Sequence, residues 1–205
     1  MSLAEEFFYR IHESRDLPFL ITPEHTFRYN DLSYGITDVF LQLKSCNVGD
    51  RVMIVCSDEL LASAAFLSCT FAGIVPVIVP STIPATRLIA ILKATDAVAV
   101  VTDGSQPCLQ TEACTVVSMS RLKPASWLRR FRAERTKAPV VRLEESESEL
   151  AYLLFTSGTT DEPAGIEITY GALRAQLVTL RRLFDFGPGD RIANSTPLAH
   201  TDGLV

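Results

Sequence analysis

Residues 51–79 read Arg51-Val52-Met53-Ile54-Val55-Cys56-Ser57-Asp58-Glu59-Leu60-Leu61-Ala62-Ser63-Ala64-Ala65-Phe66-Leu67-Ser68-Cys69-Thr70-Phe71-Ala72-Gly73-Ile74-Val75-Pro76-Val77-Ile78-Val79. From Leu60 onward no residue carries a charge, and about twenty uncharged residues are nominally enough to cross a bilayer. Gly73 and Pro76 interrupt the run, and its end (Ile74, Val75, Val77, Ile78, Val79) is β-branched, which favours strand over helix. Ser57-Asp58-Glu59 supplies an N-cap and an acidic first turn, as a water-soluble helix wants. The stretch therefore predicts a buried strand at 51–56, a buried helix over 59–72 and a second buried strand at 75–79, with no transmembrane segment.

The same alternation continues on both sides. Before it, 19–22 and 26–29 predict two short strands around the turn Pro23-Glu24-His25. Asn30 then caps a helix with Leu32, Ile36, Val39, Phe40 and Leu43 on its apolar positions, and Asn47-Val48-Gly49-Asp50 makes a turn. After it, Ser81 or Thr82 opens a helix with Pro84 in its first turn and Leu88, Ile89, Ile91 and Leu92 facing inward. Residues 97–102 form a further strand. Wholly apolar strands separated by helices of about a dozen residues predict an α/β fold, a mostly parallel sheet with helices on both faces.

From Gly104 to Glu149 the periodicity weakens. Val116-Val117 predicts one more strand. A basic run follows (Arg121, Lys123, Arg129, Arg130, Arg132, Arg135, Lys137), and Glu144, Glu145, Glu147 and Glu149 then reverse the sign. A surface for anionic lipid headgroups or a phosphorylated cofactor is one reading of it. A solvated connector, its charge balanced locally by the glutamates, is the plainer and preferred one. Order returns with a strand at 151–155, a loop at 156–164 and a strand at 165–169. Thr169 caps a helix carrying Leu173, Leu177, Leu180 and Phe184 on one face. A turn at 187–190 and a strand at 191–195 follow.

Composition narrows the class. The 205 residues are 47% hydrophobic with a net charge of −5, which supplies a core and disfavours a sequence-independent nucleic-acid binder. Five cysteines without a paired spacing, and a start (Met-Ser-Leu-Ala-Glu-Glu) with neither basic nor long apolar region, lead us to expect reduced thiols and a cytoplasmic location, with peripheral membrane contact left open. No G-x-S-x-G elbow, no Walker A ending and no G-x-G-x-x-G fingerprint occurs. His12 and His25 have no evident partners and are read as surface residues.

The loop carries the chemistry. Tyr152-Leu-Leu-Phe-Thr-Ser-Gly-Thr-Thr-Asp-Glu-Pro-Ala-Gly165 runs from a buried strand into hydroxyls and glycines, a concavity suited to polyphosphate. An ordinary Ser/Thr/Gly-rich turn would read the same on composition alone. Three other segments keep it company: Phe27-Arg28-Tyr29-Asn30-Asp31-Leu32; Val48-Gly49-Asp50-Arg51-Val52 with Phe66-Leu67, Ala72-Gly73 and Pro76-Val77; and Pro197-Leu198-Ala199-His200-Thr201-Asp202-Gly203-Leu204. Together these resemble the adenylate-forming (ANL) superfamily of acyl- and aryl-CoA ligases, fatty acyl-AMP ligases, luciferases and peptide-synthetase adenylation domains. The loop resembles its signature Y-x-x-[ST]-S-G-T-T-G-x-P-K-G-V, and the last segment its P-L-F-H-x-x-G-L.

The resemblance implies that Thr156, Ser157, Gly158, Thr159 and Thr160 hold the β- and γ-phosphates of ATP, with Thr160 helping to place Mg²⁺. It implies that His200 lies near a pocket for the carboxylic acid substrate. The reaction implied is attack of the carboxylate on the α-phosphorus, giving acyl-adenylate and pyrophosphate, with CoA the expected acceptor and a fatty acid the expected acid. Two residues depart from the signature: Asp161 replaces its glycine and Ala164 its lysine. A carboxylate beside a triphosphate is repelled by roughly 1 kcal/mol even when well screened. The family's downstream Y-G-x-T-E, T-G-D and C-terminal lysine have no counterpart, so no complete catalytic set is expected in this chain. It is read as the first part of the large N-terminal domain, with ordered α/β structure over 17–103, a charged connector over about 104–149, a strand–loop–helix over 150–205, and the C-terminal domain absent. Self-association through uncovered apolar surface is expected. The rival reading is a non-catalytic remnant or scaffold that keeps the fold without the nucleotide.

Overall fold

The computed structural model describes residues 2–105, 114–119, 145–155, 164–187 and 189–196. Among them, two strands form a small antiparallel ribbon, β1 (Pro18–Ile21) with β2 (Thr26–Arg28). The other six make one sheet in the order β6-β5-β3-β4-β7-β8. These are β3 (Arg51–Val55), β4 (Val75–Ile78), β5 (Ala99–Thr102), β6 (Thr115–Ser118), β7 (Leu150–Phe155) and β8 (Gly165–Thr169). Every pairing is parallel except the last, where β8 runs antiparallel to β7 and forms the sheet's edge.

The expected α/β architecture is present, and the burial of alternate residues shows how it is covered. Val52 and Ile54 of β3 pack with Leu60, Leu61, Ala64 and Phe71 of α3 (Glu59–Ala72) and with Leu32, Ile36 and Val39 of α2 (Tyr29–Gln42). Met53 and Val55, one residue out of phase, face Leu88, Ile91 and Leu92 of α4 (Ala85–Thr95) on the opposite side. All four residues of β4 and all four of β5 are buried, as a strand covered on two faces requires. Ser68 sits in the α2–α3 contact with its hydroxyl donating to the Ile36 and Ala64 carbonyls, at 2.8 and 2.6 Å. The uncharged stretch is thus a helix and a strand, and among the described residues no helix is long and apolar enough to cross a membrane.

Gly73 explains the sharp exit from α3: at φ +70° it takes the left-handed position that closes helices, and the chain enters β4 two residues later. Asp58 is the expected N-cap, accepting from the Leu61 amide at 2.9 Å. Thr169 likewise caps α5 (Tyr170–Phe184), accepting from Ala172 at 3.2 Å.

Several expectations need correction. No helix is expected at the chain start, yet Leu3–Glu13 forms α1 on a capping box in which the Ser2 hydroxyl accepts from Glu5 N and the Glu5 carboxylate accepts from Ser2 N, both at 3.0 Å. Helix α2 starts at Tyr29, not after Asn30, because Asp31 accepts from the Arg28 amide at 2.8 Å and fixes the first turn earlier. Ser81 and Thr82 do not open α4. Residues 80–83 close a turn through Ile83 N and Pro80 O, and Pro84 takes the N-cap position. Residues 191–195 are exposed and form no strand, since no described strand lies beside them. Phe184, expected on the buried face of α5, is 61% exposed. Cys46, Cys56, Cys69 and Cys114 are free, while Cys108 and the basic run lie outside the described residues. His12 and His25 are exposed, as read from the sequence.

Candidate functional site

In a parallel sheet the chain's polar turns gather at the carboxyl ends of the strands. Here β3 leads into α3 on one face and its neighbour β4 leads into α4 on the other. The two connections leave to opposite faces, so β3 and β4 mark a topological switch point, the usual place for a ligand in an open α/β sheet.

Two turns meet at that edge. After β5, Asp103 reaches across to the turn after β3: its Oδ2 accepts from Ser57 N at 2.8 Å, Ser57 Oγ at 2.6 Å and Asp58 N at 2.9 Å. Its Oδ1 accepts from Ser105 N at 3.0 Å. Burial alone would raise this carboxyl. The hydrogen bonds from Ser105 and Ser57 outweigh it and hold Asp103 well below the usual carboxylate range. Beside it the Cys56 thiol, donating to the Val101 carbonyl at 3.6 Å, is pushed far up by burial and by the Asp103 and Asp58 charges.

The hydroxyl-rich loop leaves the same edge. β7 runs parallel to β4 and ends at Phe155, which is paired with Gly165 at the start of β8. Gly165 has a steric reason to be glycine: a Cβ there would stand 2.9 Å from the Phe155 ring. The ring lies against the Gly165 backbone. Ala164 is exposed at the entrance to β8. Thr156, Ser157, Gly158, Thr159, Thr160 and Asp161 lie outside the described residues, as does His200. The structure thus fixes the two anchors of the loop and the edge it leaves from. Among the described residues no group of three or more His, Cys, Asp or Glu could hold a metal.

Sequence reasoning did not find Asp103. Its partners lie 45 and 46 residues away, and the only local signal is a polar residue ending an apolar strand.

A family model, AMP-binding enzyme, matches residues 7–205. The chain is 28% identical over 215 residues to the hybrid PKS-NRPS synthetase TAS1 of Pyricularia oryzae, covering 100% of this chain and 12% of that protein. It is 32% identical over 167 residues to the long-chain-fatty-acid–AMP ligase FadD32 of Mycolicibacterium smegmatis, covering 77% of this chain and 25% of the relative. The chain therefore spans a quarter or less of these two curated relatives. Among solved structures, VinN in complex with 3-methylaspartate superposes with a TM-score of 0.82 at 18% identity, over 99% of this chain and 57% of that one. The o-succinylbenzoate CoA synthetase MenE of Bacillus subtilis, bound to its acyl-adenylate intermediate, gives 0.76 at 18% identity over 100% and 52%. At such identities the likeness is one of fold. The family match covers nearly the whole chain, and the chain belongs to the AMP-binding enzymes.

Proposed function

We propose that the chain is the first part of the large N-terminal domain of an ATP-dependent ligase that activates a carboxylic acid as its acyl-adenylate. The signature loop, anchored by Phe155 and Gly165 at the carboxyl edge of a parallel sheet, carries this reading. In it Thr156, Ser157, Gly158, Thr159 and Thr160 would bind the β- and γ-phosphates through hydroxyl and amide donors, and Thr160 would offer one oxygen to Mg²⁺. These hydroxyl and glycine residues fit a phosphate chain; Asp161 and Ala164 work against it. His200 would border the carboxylate pocket. The acid favoured is a fatty acid with CoA as acceptor. A relative named as a long-chain-fatty-acid–AMP ligase supports the acid, and another is named as a hybrid PKS-NRPS synthetase. The layout proposed is ordered α/β structure over 17–103, a charged connector over about 104–149, and the strand–loop–helix over 150–205. The setting proposed is the cytoplasm, with peripheral membrane contact compatible with it.

By itself the chain is proposed to be inactive and to self-associate. Leu183 and Ile192, each 70% exposed, and Phe184, 61% exposed, support the second point. Asp161 and Ala164 favour a second reading, a scaffold that retains the fold without the nucleotide. Calorimetric titration with Mg·ATP separates them. The native chain should bind weakly or not at all, and Asp161→Gly with Ala164→Lys should tighten binding at least tenfold. No gain in the double variant would sink the cradle and leave the scaffold.

A further inference from the structure

The glutamates that end the connector were expected to be solvated counter-charges. Glu145 is not: its side chain is only 5% exposed. Its Oε1 accepts from the backbone amide of Ala4, in the first turn of α1, at 3.0 Å. Its Oε2 is buried, makes no hydrogen bond among the described residues, and lies 3.8 Å from Arg174 Nη2 on α5. One carboxylate thus faces the positive end of one helix and a cation on another. The residues that follow continue the bridge. The Glu147 and Glu149 carbonyls accept from the amides of Gly171 and Tyr170, at 3.0 and 2.9 Å, in the first turn of α5. Gly171 permits this approach, because a Cβ there would meet the Glu147 oxygen at 3.0 Å.

Apolar packing reinforces the polar contact. Leu3, 3% exposed, belongs to the cluster of Tyr152 and Leu154 from β7 and Tyr170 and Leu173 from α5. The other residues of α1 face elsewhere: Ala4 and Ile11 pack in the α2–α3 core, where Phe8 meets Phe71 edge-on at 6.1 Å. Helix α1 therefore spans two packing units that otherwise meet through Phe66 and the β4–β7 pairing.

We propose that α1 is a strap, latched by Glu145 between the Ala4 amide and Arg174, whose first turn and the first turn of α5 open together while the parallel sheet stays closed. The buried Oε2 is the sensitive point. A carboxylate this deep is tolerated only with a compensating cation nearby, so loss of Arg174 must be felt at α1, on the far side of the carboxylate.

Amide hydrogen exchange on the whole chain reads this residue by residue. Arg174→Gln should speed exchange at Ala4 by about fivefold or more together with Tyr170 and Gly171, leaving amides of 59–72 unchanged, and Arg174→Lys should restore most of the protection. Glu145→Gln should speed the same three amides. Unchanged Ala4 exchange in Arg174→Gln overturns the latch, and so does acceleration spread equally through α3. Should Arg174→Gln not fold, Leu3→Ala loosens the strap from its apolar side. It must then speed Tyr170 and Gly171, and an unmoved α5 overturns the proposal.

Discussion

The β3–β4–β5 unit and the β7–β8–α5 unit belong to one sheet and are built on opposite terms. In the first, β4 and β5 are buried along their whole length, and helices close both faces. In the second, β7 is buried but β8 is exposed at its first three residues and ends the sheet. Helix α5 buries only Tyr170 and Leu173 and leaves Val178, Leu183 and Phe184 in the open. Apolar burial supplies most of the favourable free energy of folding, so stability must concentrate in the first unit. Among the described residues the second is held by the β4–β7 pairing, the packing around Tyr152 and the contacts of α1 through Leu3 and Glu145.

Substitutions can break or sharpen this contrast. The largest loss belongs to Leu61→Ala, at a position with 0% exposure in α3. A cavity there should cost about 2–5 kcal/mol in denaturant unfolding, and a loss under about 1 kcal/mol would mean the first unit is not the stability centre. Gly165→Ala should cost about 1–2 kcal/mol, because its Cβ drives against the Phe155 ring. A neutral result would show that the base of the loop yields freely.

Asp103→Asn tests the carboxyl edge. Since hydrogen bonds lower the folded pKa of Asp103, its contribution is present above the ordinary carboxylate range and fades as pH falls through and below it. The variant should therefore be less stable at pH 7, by no more than about 1 kcal/mol given the group's partial exposure, and the gap should begin to narrow only below about pH 4 and go on narrowing below pH 3. A gap that stays constant from neutral pH down to about pH 2 would remove the charge from the explanation. Leu183→Ser, at 70% exposure, should change stability by less than about 0.5 kcal/mol while shifting sedimentation toward monomer. If association is untouched, the open face of α5 is not what the copies share.

Much of the first unit was legible in the sequence, because its elements announce themselves locally: an unbroken apolar strand, an N-cap at Asp58, a glycine at the helix end. The errors arose where structure depends on distant partners. Helix α1 has a local signal in the Ser2 and Glu5 capping box, but its apolar residues find their cover only on α2, α3, β7 and α5. Residues 191–195 have strand-like composition and pair with no strand among the described residues. Glu145 looked like one charge in a run of four, and only a contact 141 residues away shows it buried. The loop motif was legible as chemistry, whereas the switch point at β3 and β4 comes from strand order and the Asp103 bridge from contacts between distant turns. Neither is written in any short window.

Cys69 gives the molecule a built-in clock. It is 0% exposed in α3, and burial pushes its thiol far up. An alkylating reagent that needs thiolate should ignore it while the parallel unit is shut, so the rate at which it becomes modified reports how often that unit opens. Loosening of the α1 strap should leave that rate unchanged, and a single chemical label can then tell partial opening from global unfolding.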